Sequence, residues 1–239
     1  MSKIIKLLQL IVLIGFLVAI FFLIQGQPVE NIQLIKGVIV LPTPETTGNI
    51  SVEDAINKRK SISTYQNKSL TLKDISQLLW AAQGITDKEK NIRTVPSAGA
   101  TYPLEIYILT GTNGVNGLES GLYHYNPLKN QLEYIMKGDL RVNLSSTAYG
   151  QGGIANAPAI IIITGVYSRT QNRYGDRGIQ FVHMEAGHAG QNLYLQAQAL
   201  DLGMVLIGGF SNKDAQKILK LPADQEVLYL IPVGHPTNS

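Results

Sequence analysis

The hydrophobic positions change period several times after residue 50, and each change marks an element. Ser51-Val-Glu-Asp54 and Thr71-Leu-Lys-Asp74 each place a hydroxyl before a helical pattern and a carboxylate three residues on, so both predict helix starts. In the second helix Leu72, Ile75, Leu78, Leu79 and Ala82 follow the helical period, and Gly84 predicts its stop. The run Pro96-Ser-Ala-Gly-Ala100 then breaks all periodicity, and Leu104 to Leu109 reads as a buried strand. Gly121 to Tyr125 and Gln131 to Met136, joined through Asn126-Pro127, predict a hairpin. The isoleucine-rich run Ala159 to Val166 predicts a central strand covered on both faces.

From Gly178 to Leu202, apolar residues recur at Ile179, Val182, Ala186, Ala189, Leu193, Ala197 and Leu200, predicting one long helix closed by Gly203. Met204 to Ile207, a capped helix after Ser211 with Asp214, and Glu226 to Val233 complete the order. Helices and strands do not alternate strictly. The expected class is α+β, a mixed sheet packed by helices.

Before this domain, Leu7 to Ile24 is apolar with only Gln9 and Gly15 interrupting, and Lys3 and Lys6 precede it. That length predicts an N-terminal transmembrane helix, and Gln25-Gly-Gln-Pro28 is no small-x-small cleavage site. The chain thus divides into an anchor or signal segment (1–26), a Pro-rich linker and extended arm (27–50), and a globular domain (51–239). The expected location is the membrane with the domain extracytoplasmic, or secreted if the segment is cleaved.

Composition narrows the chemistry. Of 239 residues 45% are hydrophobic, enough for one domain with its own core, and a net charge of +3 is too weak to mark a nucleic-acid surface. With no cysteine there is no disulfide, thiol nucleophile or Fe–S cluster. His183 and His188 are five apart, so on a helix they diverge by about 140° and no shared metal is expected. No nucleophile elbow or Walker loop occurs, and Gly150-Gln-Gly152-Gly153 reads as a flexible loop.

Two polar stretches carry candidate chemistry. Lys58-Arg59-Lys60 ends the first helix, where the macrodipole alone favours cations. Ser61 follows at once, and with Arg59 and Lys60 it makes a donor set suited to a phosphate. Arg173-Tyr174 lies on a polar, irregular stretch before the long helix; it is either a solvated loop or a phenol placed to give or take a proton.

The spaced set LPTPETTG (41–48), KRKSISTY (58–65), LLWAAQGIT (78–86), RTVPSAGATYPLEIY (93–107), GLYHY (121–125), EAGHAGQNLYLQAQALDLG (185–203), IGGF (207–210) and PVGHP (232–236) resembles the nitroreductase family, and within it the SagB-type dehydrogenases, whose relatives oxidise azoline rings in peptides. The resemblance implies a homodimer with FMN in its cleft and a small-molecule or peptide substrate. It implies that Arg59, Lys60 and Ser61 hold the phosphate and that the long helix is the main dimer-forming element. It also implies that Pro96, Ser97, Ala98, Gly99 and Ala100 approach the partner's flavin, and that the Gly208-Gly209 turn donates near flavin N5. Ser63 replaces a basic phosphate ligand usual in the family, and Pro236-Thr-Asn-Ser239 does not match its basic tail. In azoline-oxidising relatives a Lys-Tyr pair is implicated in proton removal, and Arg173-Tyr174 falls at that place. Arginine is a poor base because it does not deprotonate in proteins, which tells against azoline oxidation in particular and not against flavin redox chemistry, with Tyr174 managing the proton. The implied function is FMN-dependent hydride transfer through N5. The alternatives are an NAD(P)H-dependent nitro or quinone reductase, and a membrane-attached flavin-binding protein without turnover.

Overall fold

A computed structural model describes residues 34–35 and 37–237 of the chain. The strands are β1 (Leu34–Ile35), β2 (Val38–Val40), β3 (Ile85–Asp87), β4 (Ile92–Arg93), β5 (Leu104–Thr110), β6 (Gly121–Asn126), β7 (Gln131–Lys137), β8 (Ala159–Gly165), β9 (Gly203–Met204) and β10 (Glu226–Gly234). The helices are α1 (Val52–Lys58), α2 (Leu72–Gln83), α3 (Arg141–Thr147), α4 (Tyr167–Tyr174), α5 (Arg177–Ala199) and α6 (Asn212–Leu219). A short 3₁₀ turn occupies Ala98–Ala100.

Eight strands form one sheet in the order β1-β2-β7-β6-β5-β8-β10-β9, and β3 and β4 form a separate hairpin. Every neighbouring pair in the sheet is antiparallel, which corrects the expected mixed sheet. The reason lies in the partners: β8 returns beside β5, with Ile106 opposite Ile163, and β10 returns beside β8, so no parallel crossover is made. The α+β class itself holds.

β8 is buried along its whole length, as its run of isoleucines predicted. Ile161 and Ile163 join the core that contains Leu78 and Leu79 of α2 and Val182 and Leu193 of α5. Ile160 and Ile162 join the opposite core, with Leu144 of α3 and Ala215 and Leu219 of α6. Each such isoleucine stabilises the fold by roughly 1.5 to 3 kcal/mol. The sheet is therefore the middle layer, and α2 and α5 lie on the face that positions the site.

The helix starts follow the sequence reading. Ser51 accepts from the Asp54 N–H at 3.1 Å, and Thr71 and Asp74 make a reciprocal capping box. Gly84 closes α2 where the sequence reading placed its stop, with an ordinary negative φ; glycine is needed there because Trp80 packs against it and leaves no room for a Cβ. Two other readings differ. α5 stops at Ala199, and Asp201, not Gly203, takes the left-handed conformation (φ 55°). Gly203 is in β9, pressed against Ile62. Arg173 and Tyr174 belong to the last turn of α4, not to an irregular stretch.

The expected transmembrane helix and membrane location are corrected: among the described residues no helix is long and apolar enough to cross a membrane. The segment Leu7 to Ile24 on which that expectation rested lies outside the described residues.

Candidate functional site

Arg59 caps the C-terminus of α1, its N–H bonded to the Ala55 carbonyl, and the backbone turns extended there (φ −56°, ψ 123°). Lys58 is held by Asp54 at 2.7 Å on the helix itself. Beyond the helix the chain is pinned by Ile62 N–H to the Met204 carbonyl at 2.8 Å and by the Tyr65 phenol, which donates to Ile62 O at 2.7 Å. Burial pushes the Tyr65 phenol well up, with Tyr194 adding to the effect, so Tyr65 stays a donor.

Between these anchors, Ser61 Oγ lies 2.8 Å from Tyr194 Oη, and that same phenol oxygen accepts the Leu206 N–H at 3.2 Å. The Arg59 guanidinium stands 5.0 Å over the Tyr194 ring. Arg59, Lys60 and Tyr194 line a cavity of about 340 Å³, whose wall also includes Asp201. Arg59 and Lys60 thus line one open place, with Ser61 joined to its wall through Tyr194, although the Asp201 carboxylate works against an anion on its side.

Two residues past Leu206 the chain reaches Gly208 and Gly209, both exposed. Ile207 bridges to Leu230 through paired backbone hydrogen bonds of 3.0 Å, which fixes where the turn begins. A Cβ at Gly208 would meet only the Tyr229 ring at 3.7 Å, and one at Gly209 only Gln151 at 3.9 Å. Neither glycine has a positive φ. Among the described residues nothing requires glycine here, so the bare backbone faces a space that a Cβ would fill. The Gly150–Gly153 loop forms the wall beside it: Gly152 lies against Ile207 and Gly153 against the Ser63 carbonyl. Gly150, Gly152 and Gly153 all take positive φ, and Gly152 and Gly153 also serve close approach.

The Pro96 to Ala100 loop and the Arg173-Tyr174 pair come together elsewhere. Arg173 Nη1 donates to Gly99 O at 3.1 Å, and a Cβ on Gly99 (φ 60°) would lie 2.6 Å from Tyr174 Oη. Two more residues of α4 grip the same turn: Arg169 Nη1 donates to Tyr102 O at 3.0 Å, and the Thr170 and Thr101 hydroxyls are 2.8 Å apart. The Tyr174 ring packs edge-on against Phe181 of α5 at 5.1 Å. From Phe181 to Tyr194 the helix rises about 20 Å. The Tyr174 end of this cluster thus meets α5 at a different station from the Arg59–Ser61 cluster, while the chain entering the loop meets it at Asn192, whose Nδ2 donates to Thr94 O at 3.3 Å.

Beneath the loop is a buried polar network that the sequence reading missed. Glu185 is 3% exposed, and burial pushes its carboxyl up to about 7 against the opposing influence of Ser97, Gln83 and the charge of Arg93. Arg93 Nη1 donates to Gln83 Oε1 at 2.9 Å, and its guanidinium covers the Tyr102 ring at 4.3 Å. A neighbouring polar chain runs from Arg169 through Glu105 (2.6 Å) to His124 (2.7 Å). The signal for Glu185 was present: a carboxylate three residues after Val182 and four before Ala189 falls on the apolar stripe. Tyr194 and Gln151 gave no comparable signal.

His183 turns to the Tyr167 phenol at 2.6 Å while His188 is exposed, and the described residues hold no group of three or more side chains able to bind a metal.

Residues 56–235 match the Nitroreductase family. The chain belongs to that family of oxidoreductases. A nitroreductase homologue of Methanocaldococcus jannaschii, MJ1384, is 44% identical over 185 residues, covering 77% of this chain and 91% of its own. The solved structure of a Ralstonia eutropha nitroreductase superposes with a TM-score of 0.74 at 27% identity, over 87% of this chain and 94% of that one. The Microcin B17-processing protein McbC of Escherichia coli is 22% identical over 206 residues, 83% of this chain and 76% of McbC. The fold also matches the McbBCD microcin synthetase complex with truncated pro-MccB17 bound, with a TM-score of 0.67 over 90% of this chain and 84% of that one. McbC, together with the trifolitoxin operon protein TfxC of Rhizobium leguminosarum, supports the SagB-type branch that the motif set resembled.

Proposed function

We propose that this nitroreductase-family protein is an FMN-dependent oxidoreductase of the SagB type, working as a homodimer on a peptide or small-molecule substrate. The observation that carries the reading is the grouping of Arg59, Lys60 and Ser61 with the bare Gly208-Gly209 turn, linked through the Tyr194 phenol. A cluster of donors beside exposed glycines that need no internal explanation fits a phosphate attached to a flat ring. The donor set contains no feature of a dinucleotide fingerprint, which argues for FMN over FAD.

Bound there, FMN would supply reversible hydride transfer at N5. The protein's part is to hold and to exclude. Arg59 and Lys60 neutralise the phosphate, Ser61 adds a hydrogen bond, and the Gly208-Gly209 backbone lets the ring come close. By the family resemblance, the Pro96 to Ala100 loop closes the site of a second copy. It takes Arg173 and Tyr174 with it: Arg173 fixes the turn through Gly99 O, and Tyr174 gives or takes the substrate's proton. The peptide-processing relative McbC favours a peptide substrate. Arg173, which cannot act as a base, and the 44% identical nitroreductase homologue favour a second reading, reduction of a nitro or quinone compound by NAD(P)H.

The purified protein should be yellow and release FMN on denaturation. A colourless protein that also fails to take up added FMN overturns the proposal. Rapid bleaching of the bound flavin by NAD(P)H in stopped flow selects the second reading over the first.

A further inference from the structure

Gln151 is the side chain that meets the bare Gly209 backbone. A Cβ placed on Gly209 would stand 3.9 Å from its Nε2 and 4.0 Å from its Oε1, with no other side chain among the described residues within 4 Å. Both amide atoms are almost equally close, so the turn faces the hydrogen-bonding end of Gln151 and not its stem. The side chain is exposed, and its amide makes no hydrogen bond among the described residues.

The backbone beneath that amide is fixed. Gln151 N–H donates to Ala148 O at 2.9 Å and Gly150 N–H to Ser145 O at 3.2 Å, which ties the residue to the end of α3. Tyr149 takes φ 55° without being glycine, a conformation that persists only where the surroundings impose it. On the far side Gly152 packs on Ile207 and Gly153 on the Ser63 carbonyl, in positive-φ conformations that suit glycine. The end of α3 is bonded in turn to the chain leaving the glycine turn, since Ser211 N–H donates to Thr147 O at 2.9 Å. Gln151 and Gly209 therefore keep their relation through the backbone on both sides, and the loop touches both the segment that follows Ser61 and the start of the turn.

We propose that Gln151 recognises the pyrimidine edge of the flavin, its amide accepting from the ring N3–H and donating to an adjoining ring carbonyl. The inference rests on the proposed flavin site. A flat ring lying on the Gly208-Gly209 backbone has Gln151 at its rim, and an isoalloxazine has two unlike edges. Against the apolar dimethylbenzene edge the amide would give up water and gain no partner. The pyrimidine edge presents carbonyl, N–H and carbonyl in order, and a primary amide carries one acceptor beside its donors, so the two match in pairs. Reduction adds electron density to that ring, which strengthens the bond donated to its carbonyl, so the amide also favours the reduced flavin.

Flavin titration and redox potentiometry of the purified protein test this with FMN, riboflavin and FMN methylated at N3. The wild type should prefer FMN to the methylated analogue. Gln151→Leu should bind FMN about five- to tenfold more weakly and lose that preference. The preference for FMN over riboflavin, which reads the phosphate, should persist in Gln151→Leu and collapse in Arg59→Ala. Gln151→Glu keeps the shape but puts a charged acceptor where the donor stood. It should lower the reduction potential by about 30 mV or more, equivalent to a tenfold change in relative affinity for the two oxidation states, and it carries the test should Gln151→Leu disturb folding. A discrimination against the methylated analogue that is undiminished in Gln151→Leu, or a potential unmoved in Gln151→Glu, overturns the proposal and leaves the flavin site standing. A wild-type protein that takes up no FMN overturns the flavin reading and this inference with it.

Discussion

The hydroxyl of Ser61 and the phenol of Tyr194 lie 2.8 Å apart across 133 positions of sequence. That contact joins the segment leaving α1 to the C-terminal half of α5, and through Leu206 to the glycine turn. A local run of cations thereby becomes one wall of a site.

Replacing Arg59 by alanine should weaken FMN binding by about 1.5 to 3 kcal/mol, the range for a hydrogen bond to a charged group. Tyr194→Phe should cost about 1 kcal/mol of the same affinity, because Ser61 and Leu206 lose their common partner. Flavin titrations check both. If Arg59→Ala binds FMN as the wild type does, the cations serve only the helix dipole.

Two glycines should respond in opposite ways. Gly99→Ala forces a Cβ into a left-handed residue and against Tyr174 Oη at 2.6 Å, so a loss of about 1 to 3 kcal/mol and a lower melting temperature are expected. Gly209→Ala meets nothing closer than Gln151 at 3.9 Å, so its melting temperature should be unchanged while flavin affinity falls. A Gly209→Ala protein with undiminished affinity would remove that turn from the site.

These cases show what the sequence could disclose. Helix starts were legible because a cap is a local event: Thr71 and Asp74 satisfy each other within four residues. β8 was legible because both faces of a central strand demand apolar side chains. The end of α2 at Gly84 was legible, but the end of α5 was misread because a glycine says that space or φ is special without saying which, and at Gly203 it was space in a strand. The sheet's antiparallel character was not legible, since strand order depends on partners distant in sequence. Tyr194 was hidden for the same reason: nothing near it in the chain reveals that Ser61 and Leu206 meet at its oxygen.

On the proposed reading the Pro96 to Ala100 loop completes the site of a second copy of the chain. Light scattering of the purified protein should give twice the chain mass. A flavin-loaded monomer would contradict the arrangement.

Acid should destabilise the domain through Glu105. Burial opposes its ionisation, but the hydrogen bond from His124 and the charge and hydrogen bond of Arg169 outweigh it, and the carboxyl is held below its ordinary value. A depressed folded-state value contributes stability above the unfolded value and loses it as pH falls through the folded one. Melting temperature should therefore drop on the acid side of about pH 4 to 5. Glu105→Gln should flatten that drop and cost about 1.5 to 3 kcal/mol at neutral pH, since Arg169 and His124 lose a charged partner. An unchanged acid limb would show that other carboxylates govern it.

Tyr174→Phe separates a proton-transfer role from packing. The phenol oxygen faces Gly99 while the ring edge packs on Phe181, so removing only the hydroxyl leaves the packing nearly intact. If the phenol moves the substrate's proton, turnover should fall by about 10²- to 10⁴-fold with flavin still bound. If it only packs, turnover should be unchanged and melting should move slightly. Arg173→Lys sharpens the comparison: lysine keeps a donor for Gly99 O but is an amine that can lose its proton, whereas the guanidinium cannot. A rise in azoline oxidation in Arg173→Lys that vanishes in the Arg173→Lys, Tyr174→Phe double variant would assign proton removal to the pair. Full activity in Tyr174→Phe with every substrate tried would take the phenol out of the mechanism.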